Sequence, residues 1–295
     1  GKLAAIGKGA FSECSGLTSL NIPDSETTIA DHAFAGCAGL TQVRLGNRVT
    51  SIGSYAFSGC RQLKELTIPE TLTILGPGAF ASCESLERAT IPVGLTQPIS
   101  TSPTSSGGAS LSPFFGCSGL RSVTIKIPSI TTVYTDWIDS ESLKTTGIKE
   151  IIFSEGVTTI GDGSFRDCTS LTSLTFPESL TQIGGNAFRG CTALNSLTLP
   201  AKLTTIGGGA FQGCTGLTSV TFPEKLSSIG VSAFRECSGL TSLSVPDPVA
   251  SIADHAFREC SGLTEVTLGK AVTNIGSYAF SGCRKLKGLA IPKTL

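Results

Sequence analysis

Ten of the eleven cysteines of this chain fall in two evenly spaced arrays: Cys14, Cys37, Cys60 and Cys83 stand 23 residues apart, and so do Cys168, Cys191, Cys214, Cys237, Cys260 and Cys283. Cys117 lies 34 residues after Cys83 and 51 before Cys168, which is one period plus 11 and two periods plus 5. The register therefore survives two insertions. A fixed period of this size describes stacked coils, each packing only on its neighbours, because a unit so short cannot bury its own apolar side.

With Leu171 as position 1 of LTSLTFPESLTQIGGNAFRGCTA, apolar residues fall at positions 1, 4, 6, 10, 13, 17, 18 and 21. Positions 4 and 6 alternate with polar 3 and 5, the period of a half-buried strand. Pro177 closes that strand because it has no N–H for the next ladder bond. A second extended piece, LTQIG, follows, and Gly184 is expected to permit a sharp turn there. From Ala187 to Leu194 the spacing becomes three residues, which predicts a helical or 3₁₀ turn. Twelve strands can be counted, from the one beginning at Leu17 to the one beginning at Leu286.

The expected fold is thus a β-rich α/β solenoid of about twelve coils, with one continuous parallel sheet and short helical or 3₁₀ turns on the other side. At about 4.8 Å per strand it would be roughly 58 Å long. We read residues 1–295 as a single solenoid, regular over 1–95, interrupted over 96–147 and regular over 148–295. The chain has no Met, begins inside a coil at GKL and stops at position 10 of another, so it reads as a fragment of a longer chain with both ends open.

The unit LxxLxxPxxLxxIGxxAFxxCxxL, with eleven in-register copies of Phe-x-x-Cys, resembles the BspA-like leucine-rich repeat over essentially the whole chain. That resemblance implies a bacterial or protist cell-surface setting, and an extracellular role in adhesion or recognition.

Lys plus Arg equals Asp plus Glu at 22 each, so the chain has no basic excess with which to hold a phosphate backbone, and nucleic acid is not an expected partner. No apolar run approaches the ~20 residues of a membrane helix, and membrane insertion is not expected. Neighbouring cysteines on a ladder point the same way, which strains any bridge between them, and eleven cannot pair completely. A zinc or iron–sulfur centre needs converging ligands, not a file. The cysteines read as small buried hydrophobes.

His32 and His255 occupy the same slot in two copies of ADHAF. Each has an adjacent Asp, which does not make a Ser-His-Asp arrangement. The glycine pairs of GGNAF and GGGAF lack the strand-to-helix setting of a phosphate loop. The chain is expected to be no enzyme, with no catalytic residue, no cofactor and no metal.

Residues 30–72 match 253–295 at 31 of 43 positions, and the differences avoid the inward slots. Four fall on outward strand positions: Gln42 against Glu265, Arg44 against Thr267, Glu65 against Gly288, and Thr67 against Ala290. This is the pattern of a recognition surface, and equally of drift at exposed sites. Strands two to six carry a mixed-charge face, whereas coils seven to ten carry files of Ser and Thr whose hydroxyls could order water or ice.

The segment 96–113 is rich in Ser, Thr, Pro and Gly, and VYTDWIDSESLK replaces the usual GxxAFxxC one coil later. Insertions collected on one side of a solenoid commonly form its binding face. Trp137 or Ile138 could instead fill the missing Phe slot, and Asp136, Asp139 and Glu141 offer carboxylates of the kind that calcium takes. The candidate partner-binding residues are Arg44, Glu65, Arg88, Tyr134, Asp136 and Trp137. The function expected is adhesion to a protein or glycan ligand; the alternative is a stalk or filament segment assembled end to end or into something larger.

Overall fold

Each period of the computed structural model, which describes residues 4–25, 27–92, 94–95, 113–126 and 147–291, makes two extended segments and one run of tight turns. Among the described residues, twelve strands lie on the first side and ten on the second. The residues form two compact units, one built on Gly1–Ile127 and the other on Lys149–Leu295.

In the first unit, Ser19–Asn21, Gln42–Arg44, Glu65–Thr67, Arg88–Ile91 and Ser122–Ile125 make one parallel ladder. Ala5–Ile6, Thr27–Ile29, Val49–Ile52 and Ile74–Leu75 make a second. Leu20 faces Val43 and Val43 faces Leu66, one period apart. The first insertion leaves this register intact, since Arg88 pairs with Ser122 and Ile91 with Ile125. In the second unit, Glu150–Phe153 pairs with Ser173–Thr175, and Ser196–Thr198 with Ser219–Thr221. Ser242–Ser244, Glu265–Thr267 and Leu289–Ala290 form a further ladder there. Every one of these pairings is parallel, as the constant period requires.

The turns differ from the expected helical or 3₁₀ segment: none of the described residues is helical. The N–H groups of Ala33, Ala35 and Cys37 donate to carbonyls three residues back. Those of His32, Phe34 and Gly36, lying between them, donate to Ser54, Ala56 and Ser58 of the next coil at 2.7–2.9 Å. Asn186, Phe188 and Gly190 repeat the pattern onto Gly208, Ala210 and Gln212, each at 2.8 Å. Half of the turn donors are therefore spent between coils, which a helix does not allow. Positions 16 and 20 are left-handed, for example His32 (φ 57) with Gly36 (φ 74), and Asn186 (φ 52) with Gly190 (φ 75). Two left-handed residues four apart break any right-handed helix and leave a chain of β-turns.

Gly184 also has a different role from the one expected of it. Its φ is not in the left-handed range. A Cβ there would lie 2.7 Å from Asp162 N and Gly161 C, so the slot is glycine because neighbouring coils touch through backbone.

The core is two files of phenylalanine. Phe11, Phe34, Phe57, Phe80 and Phe114 stack with ring centroids 5.1–5.7 Å apart. Phe165 to Phe280 stack at 5.3–5.6 Å. Interior rings such as Phe57 and Phe211 are 0% exposed, whereas Phe11, covered on one face only, is 46% exposed. The cysteines lie alongside as donors as well as hydrophobes. Cys60, Cys214 and Cys237 donate Sγ–H to the carbonyls of Phe34, Phe188 and Phe211 at 3.1–3.5 Å. Each such carbonyl also accepts an N–H from its own turn, so both of its lone pairs are used.

Truncating an interior ring removes stacking on both sides and opens a cavity. Phe211→Ala is expected to cost about 3–5 kcal/mol of unfolding free energy, and Phe11→Ala clearly less. Urea unfolding followed by circular dichroism measures both, and equal losses would contradict the file.

Candidate partner-binding surfaces

Outward side chains on the strand ladder of the first unit are held by backbone register. Gln42 faces Glu65, and Glu65 faces Arg88 across the next strand pair. Arg44 stands beside Thr67 and reaches Asp24 at 3.8 Å. The structure thus brings together three of the six candidate residues, Arg44, Glu65 and Arg88, on consecutive strands of one face. Tyr134, Asp136 and Trp137 lie outside the described residues, as do residues 96–112 of the expected loop.

Beside the three charges is a cleft of about 540 Å³, lined by Thr41, Gln42, Val43, Lys64, Glu65, Thr67 and Glu87. Lys64 and Glu87 were legible in the sequence as charges one position before the outward slot, but only the register places them at the same cleft. Among the described residues neither Glu65, Arg88, Lys64 nor Glu87 has an ion-pair partner within 4.0 Å. Thr41, at the edge, is already engaged: its hydroxyl donates to the Thr18 carbonyl of the preceding coil at 3.0 Å. The same device recurs at Thr218 and Thr264, which donate to Asn195 and Thr241.

The hydroxyl file of the second unit is present as outward residues: Ser196 faces Ser219, and Thr198 faces Thr221, all exposed. Some 650 Å³ of open space lies near its edge, lined by Phe222, Glu224, Ser244 and Asp247 among others.

The Asp-His dipeptides are explained by the stack. Asp31 Oδ1 accepts the Ser54 N–H at 2.7 Å, and Asp254 Oδ1 the Ser277 N–H at 2.6 Å. Each carboxylate caps the next coil and does not orient its histidine. The two imidazoles stack on tyrosines one coil on, His32 on Tyr55 and His255 on Tyr278, at 5.4 Å. Among the described residues, no three His, Cys, Asp or Glu side chains converge as metal ligands. No described helix is long and apolar enough to cross a membrane.

Burial also determines the thiol chemistry. Desolvation raises the Cys37 thiol to about 11 and Cys260 to about 12. Cys214 and Cys237 are pushed up by the same cause. Cys14 alone is exposed. At pH 8 iodoacetamide is expected to label Cys14 in the folded protein and the interior thiols only after unfolding. A folded pKa above the unfolded one, about 8.5, gives stability that is fully present below that value and lost as pH rises through the folded one. The wild type should lose stability between pH 9 and 11, and Cys260→Ala should lose less over the same interval. Parallel slopes in urea titrations would remove thiol ionisation as the cause.

The family model for the BspA type leucine rich repeat region matches this chain in six copies, over residues 4–137, 109–191, 136–260 and 228–295. A leucine-rich repeat protein from Bacteroides ovatus is 29% identical, with a TM-score of 0.59, covering 99% of this chain and 83% of its own. One from Eubacterium ventriosum, at 23% identity and a TM-score of 0.51, covers 99% and 77% and shows the same fold. A leucine rich cell surface protein from Faecalibacterium prausnitzii is 25% identical, covers 97% and 82%, and has a TM-score of 0.41. No curated protein matches the chain.

Proposed function

We propose, for a chain that belongs to the BspA-type leucine-rich repeat family, a non-enzymatic role in which the strand face of its first unit binds a protein partner. The observation that carries this reading is the charge arrangement on Arg44, Glu65 and Arg88. Opposite signs alternate on consecutive strands, and Glu65 and Arg88 face one another without an ion pair, so both keep their hydrogen-bonding capacity for a partner. The ladder fixes their backbones, which lowers the ordering cost of binding. Lys64 and Glu87 at the adjoining cleft extend the same polar, mixed-charge lining.

We further read Tyr134, Asp136 and Trp137, on the second interruption, as anchors for the same partner, since aromatic side chains concentrate binding energy. A place at the cell surface is supported by the family to which the repeat belongs. Adhesion to a glycan is the second form of this reading, favoured by the exposed Ser196, Thr198, Ser219 and Thr221 hydroxyls of the second unit.

The test exchanges the charges while keeping the ladder. Glu65→Lys with Arg88→Glu should leave the circular dichroism spectrum and urea midpoint within about 0.5 kcal/mol of the wild type, because both sites are on the surface. Affinity for a partner captured by the wild-type protein should fall at least tenfold. Ser196→Ala with Ser219→Ala is the control: a loss confined to that variant would place recognition on the hydroxyl face and overturn the charged-face reading.

A further inference from the structure

The charges on the strand face of the first unit reverse sign from one coil to the next. One coil presents Lys64 and Glu65, positive then negative, and the following coil presents Glu87 and Arg88, negative then positive. All four side chains are exposed, and Lys64, Glu65 and Glu87 line a single cleft. Their backbones are fixed on adjoining rungs: Glu65 faces Arg88, and the Glu87 N–H donates to the Lys64 carbonyl at 3.0 Å.

Two of these charges replace a structural bond. At the slot of Lys64 and Glu87, other coils carry a threonine whose hydroxyl donates to the preceding coil: Thr41 to the Thr18 carbonyl at 3.0 Å, Thr172 to Lys149 at 3.1 Å and Thr264 to Thr241 at 3.0 Å. A carboxylate cannot donate, so Glu87 gives up that tie between coils. No ion pair replaces it: among the described residues none of the four charges has a partner within 4.0 Å. Just before the cleft, Arg61 and Glu84 carry the same reversal and close it within the chain, at 3.5 Å. The charges at the cleft are left open.

Such a face complements itself. A second copy turned over about a two-fold axis, parallel to the strands and midway between these two coils, lays each coil on the other coil of its mate. Lys64 then meets Glu87 of the second copy, and Glu65 meets its Arg88. One coil further out, Thr41 meets Arg121, Gln42 meets Ser122 and Arg44 meets Thr124, because the strand pairs keep every position in register. No like charges face each other across these contacts. The face is also level enough to be covered. The coils joined in front through Gln42–Arg44 and Glu65–Thr67 are joined behind through Val49–Ile52 and Ile74–Leu75, so they rise by one step on both sides.

We propose that the partner of this strand face is a second copy of the chain, held in a two-fold dimer by pairing of Lys64 and Glu65 with Glu87 and Arg88 of the other copy. The proposal rests on the reading of this face as the binding surface and gives it an occupant. In a two-fold contact every pair forms twice, so four residues make four opposite-charge pairs. Those between Arg88 and Glu65 are of the strong, charge-assisted kind. A face this small makes a weak, reversible dimer that salt loosens.

Two variants test the arrangement. Lys64→Glu with Glu65→Arg gives the first coil the signs of the second, and Glu87→Lys with Arg88→Glu gives the second coil the signs of the first. Sedimentation equilibrium on the full chain, over about a hundredfold range of concentration, should show a monomer–dimer equilibrium for the wild type, weakened by high salt. Each variant alone should self-associate at least tenfold more weakly, since like charges then meet. An equimolar mixture of the two should recover the wild-type dissociation constant, because each variant complements the other. Circular dichroism shows that both variants are folded. A wild type that stays monomeric, variants that dimerise as it does, or a mixture no more dimeric than its parts would overturn the proposal. If the wild type is monomeric and both variants still lose a different captured protein, the dimer fails and the strand-face reading stands. If neither self-association nor capture responds to the exchanges, both fail.

Discussion

No coil of this chain can satisfy its own backbone. Alternate N–H groups of the interior turn runs, such as 32–36 and 186–190, donate into the following coil, and the turn closes on itself with the remainder. A lone coil would leave those donors to water, together with both faces of its phenylalanine. Stability is therefore a property of neighbours, and the inward residues answer to that demand. Rings must be flat and equal to stack at 5.1–5.7 Å. The residue three places on must be small and carry a donor, which is why cysteine recurs where alanine would leave a Phe carbonyl with one partner.

Much of this was legible because repetition converts a spacing into a direction. The Phe and Cys slots, the twelve strands and the parallel sense all follow from one period, and the structure bears them out, with each strand starting two or three residues after its leucine. The single continuous sheet does not hold, because the strand side of the second unit falls into separate ladders. The turns did not follow. A spacing of three is shared by a 3₁₀ helix and by successive β-turns, and the left-handed residues that separate them carry no signature when the slot holds His, Tyr, Asn or Ser in some coils and Gly in others. Asp31 and Asp254 were equally opaque, since their partners are 23 residues away in sequence. The thiol's role as a donor was invisible for the same reason.

The candidate sites show the converse. Position 3 or 5 of a strand marks a residue as outward, and so Arg44, Glu65 and Arg88 could be named in advance. Sequence alone could not tell that Glu65 and Arg88 stand opposite without pairing, because that depends on side-chain reach across strands. The scaffold tolerates such variation at little cost, for an outward residue touches no ladder. Duplication followed by change at outward positions lets two copies of one coil present different charges, as Arg44 and Thr267 do at matching positions.

Native-state hydrogen exchange tests the dependence on neighbours most directly. The amides of Phe188, Phe211 and Phe234 each donate to the next coil at 2.8 Å. They should exchange at one common slow rate, set by cooperative opening of adjoining coils, with Phe11 faster. Distinct rates for these three amides, showing a single interior coil opening while both neighbours stay closed, would contradict the account.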